Sequence, residues 1–295
     1  MRLDKEKNRS QRLYNIFIYL VLGILAVLIL VPVLWVIVAS VKETSEHYGS
    51  PWALPSHIHL QNFVDAWNKA NMGGYMLHSF TITFLALAIL LVVALPASYC
   101  LARFKFVGQK FLNTCFMAGL FINVNYIVVP IYLMLSDGDK WLKGFLGNGF
   151  LLNNHIVVAV VYAATALPFT IYLLSSYFAT LPHDFEEAAY IDGAGHTRTM
   201  LQVIFPMAKP SIITVILFNF LSFWNEYIII KTLVTERDQW TLPAGLLNLM
   251  QAQQSAAEYG PMYAGLVLVM LPVLILYVCV QKNLTKGMTV GGLKG

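Results

Sequence analysis

Six long apolar runs, at 14–41, 77–101, 111–135, 156–178, 211–233 and 263–281, alternate with shorter polar stretches along the chain. Each supplies the ~20 residues a helix needs to cross the hydrocarbon core of a bilayer. The pattern therefore predicts six transmembrane helices in an all-α polytopic membrane protein, and an even number of crossings puts both termini on one side. Pro32, Pro96, Pro130, Pro168 and Pro272 fall within or near these runs, where neighbouring helices can satisfy the backbone groups that proline frees, so kinks are expected. No internal repeat, low-complexity segment or linker divides the chain, and residues 1–295 read as one membrane domain. An external loop over 42–76, with Pro51, Pro55, Gly73 and Gly74 among Trp52, Phe63 and Trp67, predicts a short interfacial helix.

Composition agrees with the pattern: 58% of residues are hydrophobic and 12% charged, against about a quarter charged in a soluble domain. The first apolar run is too long for a signal-peptide core and lacks a small-residue cleavage site, so it reads as a retained helix. Orientation follows from Lys and Arg near the ends of the spans. Thirteen of the 19, among them Arg2, Lys5, Arg103, Lys105, Arg198, Lys209 and Lys282, fall on the side of the termini, and six, Lys42, Lys69, Lys140, Lys143, Lys231 and Arg237, fall opposite. Both termini and the loop 181–210 are thus expected in the cytoplasm. The net charge of +4 reflects this topology and gives no support for nucleic-acid binding, which calls for a concentrated basic face. Cys100, Cys115 and Cys279 lie inside spans without metal-ligand spacing and read as small core residues.

The polar loop 181–210 is the one place where a charged, structured motif interrupts the apolar runs. Asp184 and Glu187, three residues apart, suggest a capping box with carboxylates gathered at a helix N-terminus. The helix should start near Asp184, run through Ala188, Ala189 and Asp192, and loosen at Gly193 and Gly195. A second helical piece should start near Thr197 and stop before Pro206. Helical spacing puts Phe185, Ala188 and Asp192 on one face and the small Ala189 and Gly193 beside it. The result is a compact knob that a partner surface can approach closely.

The spacing of this loop resembles the EAA motif of binding-protein-dependent ABC importer permeases: Glu187-Ala188-Ala189, three residues, Gly193, nine residues, then Val203-Ile204-Phe205-Pro206 where the family carries Ile-x-Leu-Pro. Val203 and Phe205 depart from that pattern, while the spacing and Pro206 hold. Further resemblance, to the carbohydrate branch and to its maltose-type second permease subunit, lies in Ser222-Phe223-Trp224-Asn225-Glu226, Trp240-Thr241-Leu242-Pro243-Ala244-Gly245-Leu246 and the tail Gly291-Gly292-Leu293-Lys294-Gly295. Weaker matches are Leu54-Pro55-Ser56, Leu60-Gln61-Asn62-Phe63 and the aromatic, basic ending Tyr99 to Phe106.

The resemblance implies a type I ABC importer permease fold in a prokaryotic inner membrane. It also implies a second homologous permease subunit, two ATPase subunits holding Mg-ATP, an extracytoplasmic solute-binding protein, and a sugar or oligosaccharide as cargo. Glu187, Ala188, Ala189, Asp192, Gly193 and Pro206 would form the ATPase-coupling surface, with Glu187 against a basic residue of the ATPase and Gly193 permitting the turn; the glycine-rich tail would reach toward the ATPases. The chain itself has no G-x-x-x-x-G-K-[ST] phosphate loop, no H-E-x-x-H and no G-x-S-x-G, so no catalytic set, cofactor or metal site is expected in it.

Polar residues inside spans are candidates for the solute pathway, because an ionisable group at mid-membrane costs ~2.5 to 3.5 kcal/mol on insertion scales and normally faces protein or water. Asn219, Ser222 and Glu226 follow i, i+3, i+7 spacing with Phe223 beside them, an aromatic face and hydroxyl partners suited to a sugar; Asn123 is a weaker candidate. The same residues serve equally as contacts between neighbouring helices. Competing readings are an importer of another polar solute such as glycerol phosphate or an anionic saccharide, an intramembrane enzyme, and a membrane scaffold whose loop recruits a cytosolic protein.

Overall fold

The computed structural model describes residues 2–50, 52–68, 71–256 and 259–291, with the side chains of 2–10, 13, 252–256 and 282–291 outside the description. In chain order its helices are α1 (Arg2–Ser40), α2 (Thr44–Gly49), α3 (Gln61–Asn68), α4 (Met72–Arg103), α5 (Gln109–Gly119), α6 (Val124–Leu146), α7 (His155–Thr180), α8 (Asp184–Ile191), α9 (His196–Thr199), α10 (Phe205–Met207), α11 (Lys209–Trp224), α12 (Ile228–Leu233), α13 (Leu242–Ala256) and α14 (Tyr259–Gly291). Two compact units emerge, one of Met1–Ala70 with Leu249–Leu268 and one of Asn71–Asn248 with Val269–Gly295.

Among the described residues four unbroken helices are long and apolar enough to cross a membrane: Tyr14–Ser40, Met72–Arg103, His155–Thr180 and Tyr259–Gln281. Two more crossings are bent pairs, Gln109–Gly119 with Val124–Leu146 (107°) and His196–Met207 with Lys209–Trp224 (77°), giving six when each pair counts as one span. The apolar run expected as a span over 111–135 is thus broken between α5 and α6, and the run over 211–233 divides into α11 and α12 around residues 225–227. In the first pair the chain turns after Gly119 and Asn123 restarts it, its side chain accepting from Asn125 N at 2.9 Å as an N-cap. The second pair bends at Ala208, two residues before Pro210, which sits in the first turn of the new helix, where its ring avoids the clash with the carbonyl four residues back that a continuous helix would impose.

In the smaller unit, buried Asn62 on α3 closes the end of α1 by donating from Nδ2 to Ser40 O (2.9 Å) and Lys42 O (2.8 Å). The predicted external loop holds two short helices, α2 and α3, rather than one. Glu46 anchors it, accepting from the Ser56 amide at 2.9 Å and the Glu43 amide at 3.1 Å, and also from the Ser56 hydroxyl. These bonds, led by the Ser56 hydroxyl, hold the Glu46 carboxyl at about 2, well below the usual range.

The larger unit is built on the pairing of α4 with α7. Ile82, Ala86, Leu90, Ala94 and Ser98 recur every four residues along α4 and are all fully enclosed, a ridge in which three members are small. The helix packs on α7, whose enclosed residues include Ala159, Ala163, Thr170 and Leu174. Small residues let the backbones approach closely, which in lipid replaces the hydrophobic drive that water would supply. Cys100, Cys115 and Cys279 are exposed, so the expectation that they fill the core is corrected; Cys100 lies off the Ile82-to-Ser98 ridge and so turns outward.

Candidate functional site

The loop 181–210 folds as the helical knob that the spacing of Glu187 and Gly193 predicts, with three differences. The helix α8 starts at Asp184 as expected, but His183 occupies its N-cap without a side-chain cap, so the Asp184–Glu187 capping box does not form. Asp184, Glu186 and Glu187 nonetheless crowd its first turn, where the helix dipole favours negative charge. Its other end is a Schellman motif: Gly193 N donates to Tyr190 O (3.0 Å) and Ala194 N to Ala189 O (2.9 Å), with Gly193 at φ +78°. That left-handed geometry is the reason for a glycine there.

The second helical piece starts at His196 and does not stop before Pro206. It widens into a π turn over Met200–Ile204, with Phe205 N bonded to Met200 O, and runs on through Pro206 to Met207. Proline lacks an amide hydrogen and its ring pushes on the carbonyl a turn back, and the wider turn relieves both. Within the knob the Tyr190 hydroxyl hydrogen-bonds His196 Nδ1 at 2.7 Å, tying α8 to α9.

The exposed face of α8 carries Phe185, Glu187, Ala188, Ile191 and Asp192; Pro206 is also exposed, while Ala189 turns inward. The predicted shared face of Phe185, Ala188 and Asp192 is thus outward.

Sequence reasoning missed the residue that holds the knob in place. Glu186 is only 7% exposed and points into the chain. The Tyr99 hydroxyl donates to its Oε1 at 2.9 Å, and Arg103 Nε lies 3.1 Å from the same oxygen as an ion-pair contact. Arg103 also donates to Pro182 O at 3.3 Å, and its Nη1 is 3.3 Å from His183 Nε2. Since a guanidinium can only donate, His183 Nε2 must accept, which puts the ring proton on Nδ1, 3.2 Å from Glu186 Oε2. Glu186, Arg103 and His183 close a loop through the ion pair and the two contacts of the His183 ring, and Tyr99 joins it through its hydrogen bond to Glu186. Two signals in the sequence point to it: Tyr99 and Arg103 are four apart on one helix face, and Glu186 is three from Ala189, the inward face of α8.

The pathway candidates are not brought together as one helical stripe. The helix α11 ends at Trp224, so Glu226 lies in the break before α12 and the i, i+7 relation to Asn219 is lost. Glu226 instead accepts from Ile228 N and Ile229 N (2.8 Å each) and from Tyr162 Oη (2.7 Å), capping α12, whose N-cap Tyr227 has no side-chain cap. Asn219 is buried and donates to Thr170 Oγ1 (3.0 Å) and Val215 O (2.9 Å). Phe223 is buried and stacks on Tyr162 at 5.6 Å, so its ring faces its own chain. Ser222 and Asn123 are exposed. Among the described residues no group of three or more His, Cys, Asp or Glu is placed to hold a metal ion. Residues 292–295 of the glycine-rich tail lie outside the described residues.

Residues 76–290 match the family described as the binding-protein-dependent transport system inner membrane component. The chain is 35% identical to the diacetylchitobiose uptake system permease protein NgcG of Streptomyces coelicolor, over 98% of this chain and 92% of that one. It is 29% identical to the multiple sugar-binding transport system permease protein MsmG of Streptococcus mutans, over 97% and 99%. Its fold is similar to a crystal structure of a bacterial ABC transporter involved in import of the acidic polysaccharide alginate, with a TM-score of 0.77 at 24% identity, covering 93% and 97%. With a family match over residues 76–290, a relative 35% identical over 98% of the chain and the Glu187–Gly193 knob folded between its apolar helices, the chain belongs to the binding-protein-dependent transport system inner membrane components and is a membrane permease subunit of an ABC importer.

Proposed function

We propose that the chain forms one wall of a carbohydrate translocation pathway and receives its drive from separate ATPase subunits through the loop knob. The observation that carries this is the knob itself: a short helix closed by Gly193, with Glu187, Ala188, Asp192 and Ile191 outward and its inner face fixed to the ends of two spans. Three large apolar or aromatic residues, Phe185, Tyr190 and Ile191, are exposed on this eight-residue helix beside Glu187 and Asp192, which suits a docking element better than a solvated linker. The sugar class is supported by relatives whose names specify diacetylchitobiose, galactooligosaccharides and multiple sugars.

In this reading residues 1–295 act as one permease domain in a prokaryotic inner membrane, termini and knob in the cytoplasm. It pairs with a second, homologous permease, two ATPase subunits that bind Mg-ATP, and an extracytoplasmic solute-binding protein. The permease pair alternates between inward- and outward-facing arrangements, and solute moves because its affinity differs between them. Asn123 and Ser222, exposed in the single chain, are the candidates for the solute-facing wall, whereas Asn219, Phe223 and Glu226 build the helices behind it. Reconstitution of the co-purified complex in vesicles with its binding protein tests the whole scheme. ATP-dependent uptake of an oligosaccharide is expected; uptake of glycerol phosphate in its place would overturn the sugar assignment, and a chain that purifies without an ATPase would overturn the coupling role.

A further inference from the structure

We propose that Glu186 is a positioning residue for energy coupling: the joint that makes the knob and the α4 span move as one body, while its sequence neighbour Glu187 meets the ATPase. The proposal rests on the reading of the knob as the ATPase-docking element.

An eight-residue helix such as α8 has little stability of its own in water, so its tertiary contacts set its orientation. Those contacts fall on one side. Glu186 meets Tyr99 and Arg103 at the end of α4, Phe104 stands edge-on to His196 with centroids 5.5 Å apart, and Phe178 at the end of α7 stacks on Phe205 at 6.0 Å. A force applied to the outer face of α8 reaches the spans through these and through the chain that enters and leaves the knob.

The two kinds of contact transmit differently. Aromatic packing is weakly directional and lets surfaces slide, whereas a charged hydrogen bond fixes distance and angle. Glu186 provides that fixed link, and it is enclosed enough that water offers it no alternative partner. Tyr99 is itself locked, 2% exposed with its ring edge-on to both Phe104 (5.6 Å) and Phe178 (6.0 Å). From Tyr99 the push enters the Ile82-to-Ser98 ridge packed along α7, so displacement of the knob carries the α4–α7 pair with it. Arg103 and His183 complete the link by tying the chain entering α8, through Pro182 O, to the same helix end.

The test uses the full complex of permeases, ATPase subunits and binding protein, reconstituted in vesicles and supplied with a transported oligosaccharide. Glu186→Gln keeps an acceptor for Tyr99 but removes the charge opposite Arg103; Tyr99→Phe keeps the ring packing and removes the hydroxyl. Both should retain the ATPase subunits and hydrolyse ATP, while solute imported per ATP falls by about tenfold, the scale of one charge-assisted hydrogen bond. The double variant should fall no further than Glu186→Gln alone, because both act through the same link. A parental ratio of solute to ATP in either variant overturns the proposal. So does loss of the ATPase from Glu186→Gln complexes, which would make Glu186 part of the dock. If Glu186→Gln aggregates, Tyr99→Phe decides by the same ratio. Glu187→Lys is the separate control: it should release the ATPase, and if it does not, the docking reading fails independently of the Glu186 result.

Discussion

The Tyr162 hydroxyl donates to the Glu226 carboxylate across 2.7 Å, joining the N-terminal third of α7 to the break between α11 and α12. The same carboxylate takes the amides of Ile228 and Ile229 on its other oxygen, so it replaces the backbone bonds the broken helix gives up. Glu226→Gln can turn its oxygen to the amides and its NH2 to Tyr162, and should keep the thermal stability of the purified complex within a few degrees. Glu226→Leu orphans those amides at about 1 to 3 kcal/mol each and should abolish assembly in detergent. Parental melting of the Leu variant, followed by fluorescence-detected size exclusion, would remove Glu226 from this role.

Asn219 and Ser222 separate packing from pathway. Asn219→Leu leaves Thr170 Oγ1 without its donor inside the bundle, and is expected to lower complex yield and stability by about 1 kcal/mol while uptake per assembled complex holds. Ser222→Leu places bulk on an exposed face and should raise KM for solute without loss of assembly. The opposite assignment of the two phenotypes, in vesicle uptake normalised to complex, would reverse their roles.

What the sequence made legible follows from what hydropathy and spacing record. Long apolar runs mark spans, and a Glu-Ala-Ala pattern with glycine at a fixed offset marks a helix and its left-handed stop. The breaks escape that reading because they are themselves apolar: the turn after Gly119 is Leu120-Phe121-Ile122, and hydropathy carries no backbone angle. Glu186 escapes for a different reason. Adjacent carboxylates look alike in sequence, yet successive residues of an α-helix point about 100° apart, so one goes to the spans and the other to solvent. Tyr99 and Arg103 read as interface aromatic and orientation charge, which describes their composition and not their partner.

Glu46 gives a pH dependence of defined sign. Its carboxyl, held at about 2 by the Ser56 hydroxyl and amide, lies below the about 4.3 of a free glutamate, so its anchoring is complete above that ordinary value and is lost as pH falls through the lowered one. In protein carrying 13C-labelled glutamate, the Glu46 carboxyl should still be ionised at about pH 3.5, and Ser56→Ala should raise its titration toward the ordinary value. Titration near the ordinary value in the parent would show the anchor does not form.

Orientation is open to direct labelling. The thirteen basic residues on the side of the termini call for His196 in the cytoplasm and Ser56 outside. In a background with Cys100, Cys115 and Cys279 replaced, a cysteine at position 56 should react with an impermeant maleimide in intact cells, and one at 196 only in inverted vesicles. The reverse pattern would invert the whole topology and move the knob away from any cytoplasmic ATPase.

Gly193 links the backbone of the knob to its function most simply. Nothing within the chain lies within 4 Å of a Cβ built there, so a methyl group meets no clash and the cost of alanine comes from φ +78°. For Gly193→Ala that cost is about 1 to 2 kcal/mol, and a β-branched side chain such as valine adds to it. The strain is local to the turn joining α8 and α9, and the spans that carry the chain into the membrane do not pass through it. Insertion and pairing with the second permease should therefore survive in both variants, while the ATPase becomes easier to strip from the complex with detergent or salt, more so for valine than for alanine. Gly193→Asn is the discriminating case, since asparagine tolerates the left-handed region better than either and should restore most of the retention. An order of retention that follows side-chain size, with asparagine no better than valine, would mean the glycine is there to admit the partner's surface, and the turn argument would have to be abandoned.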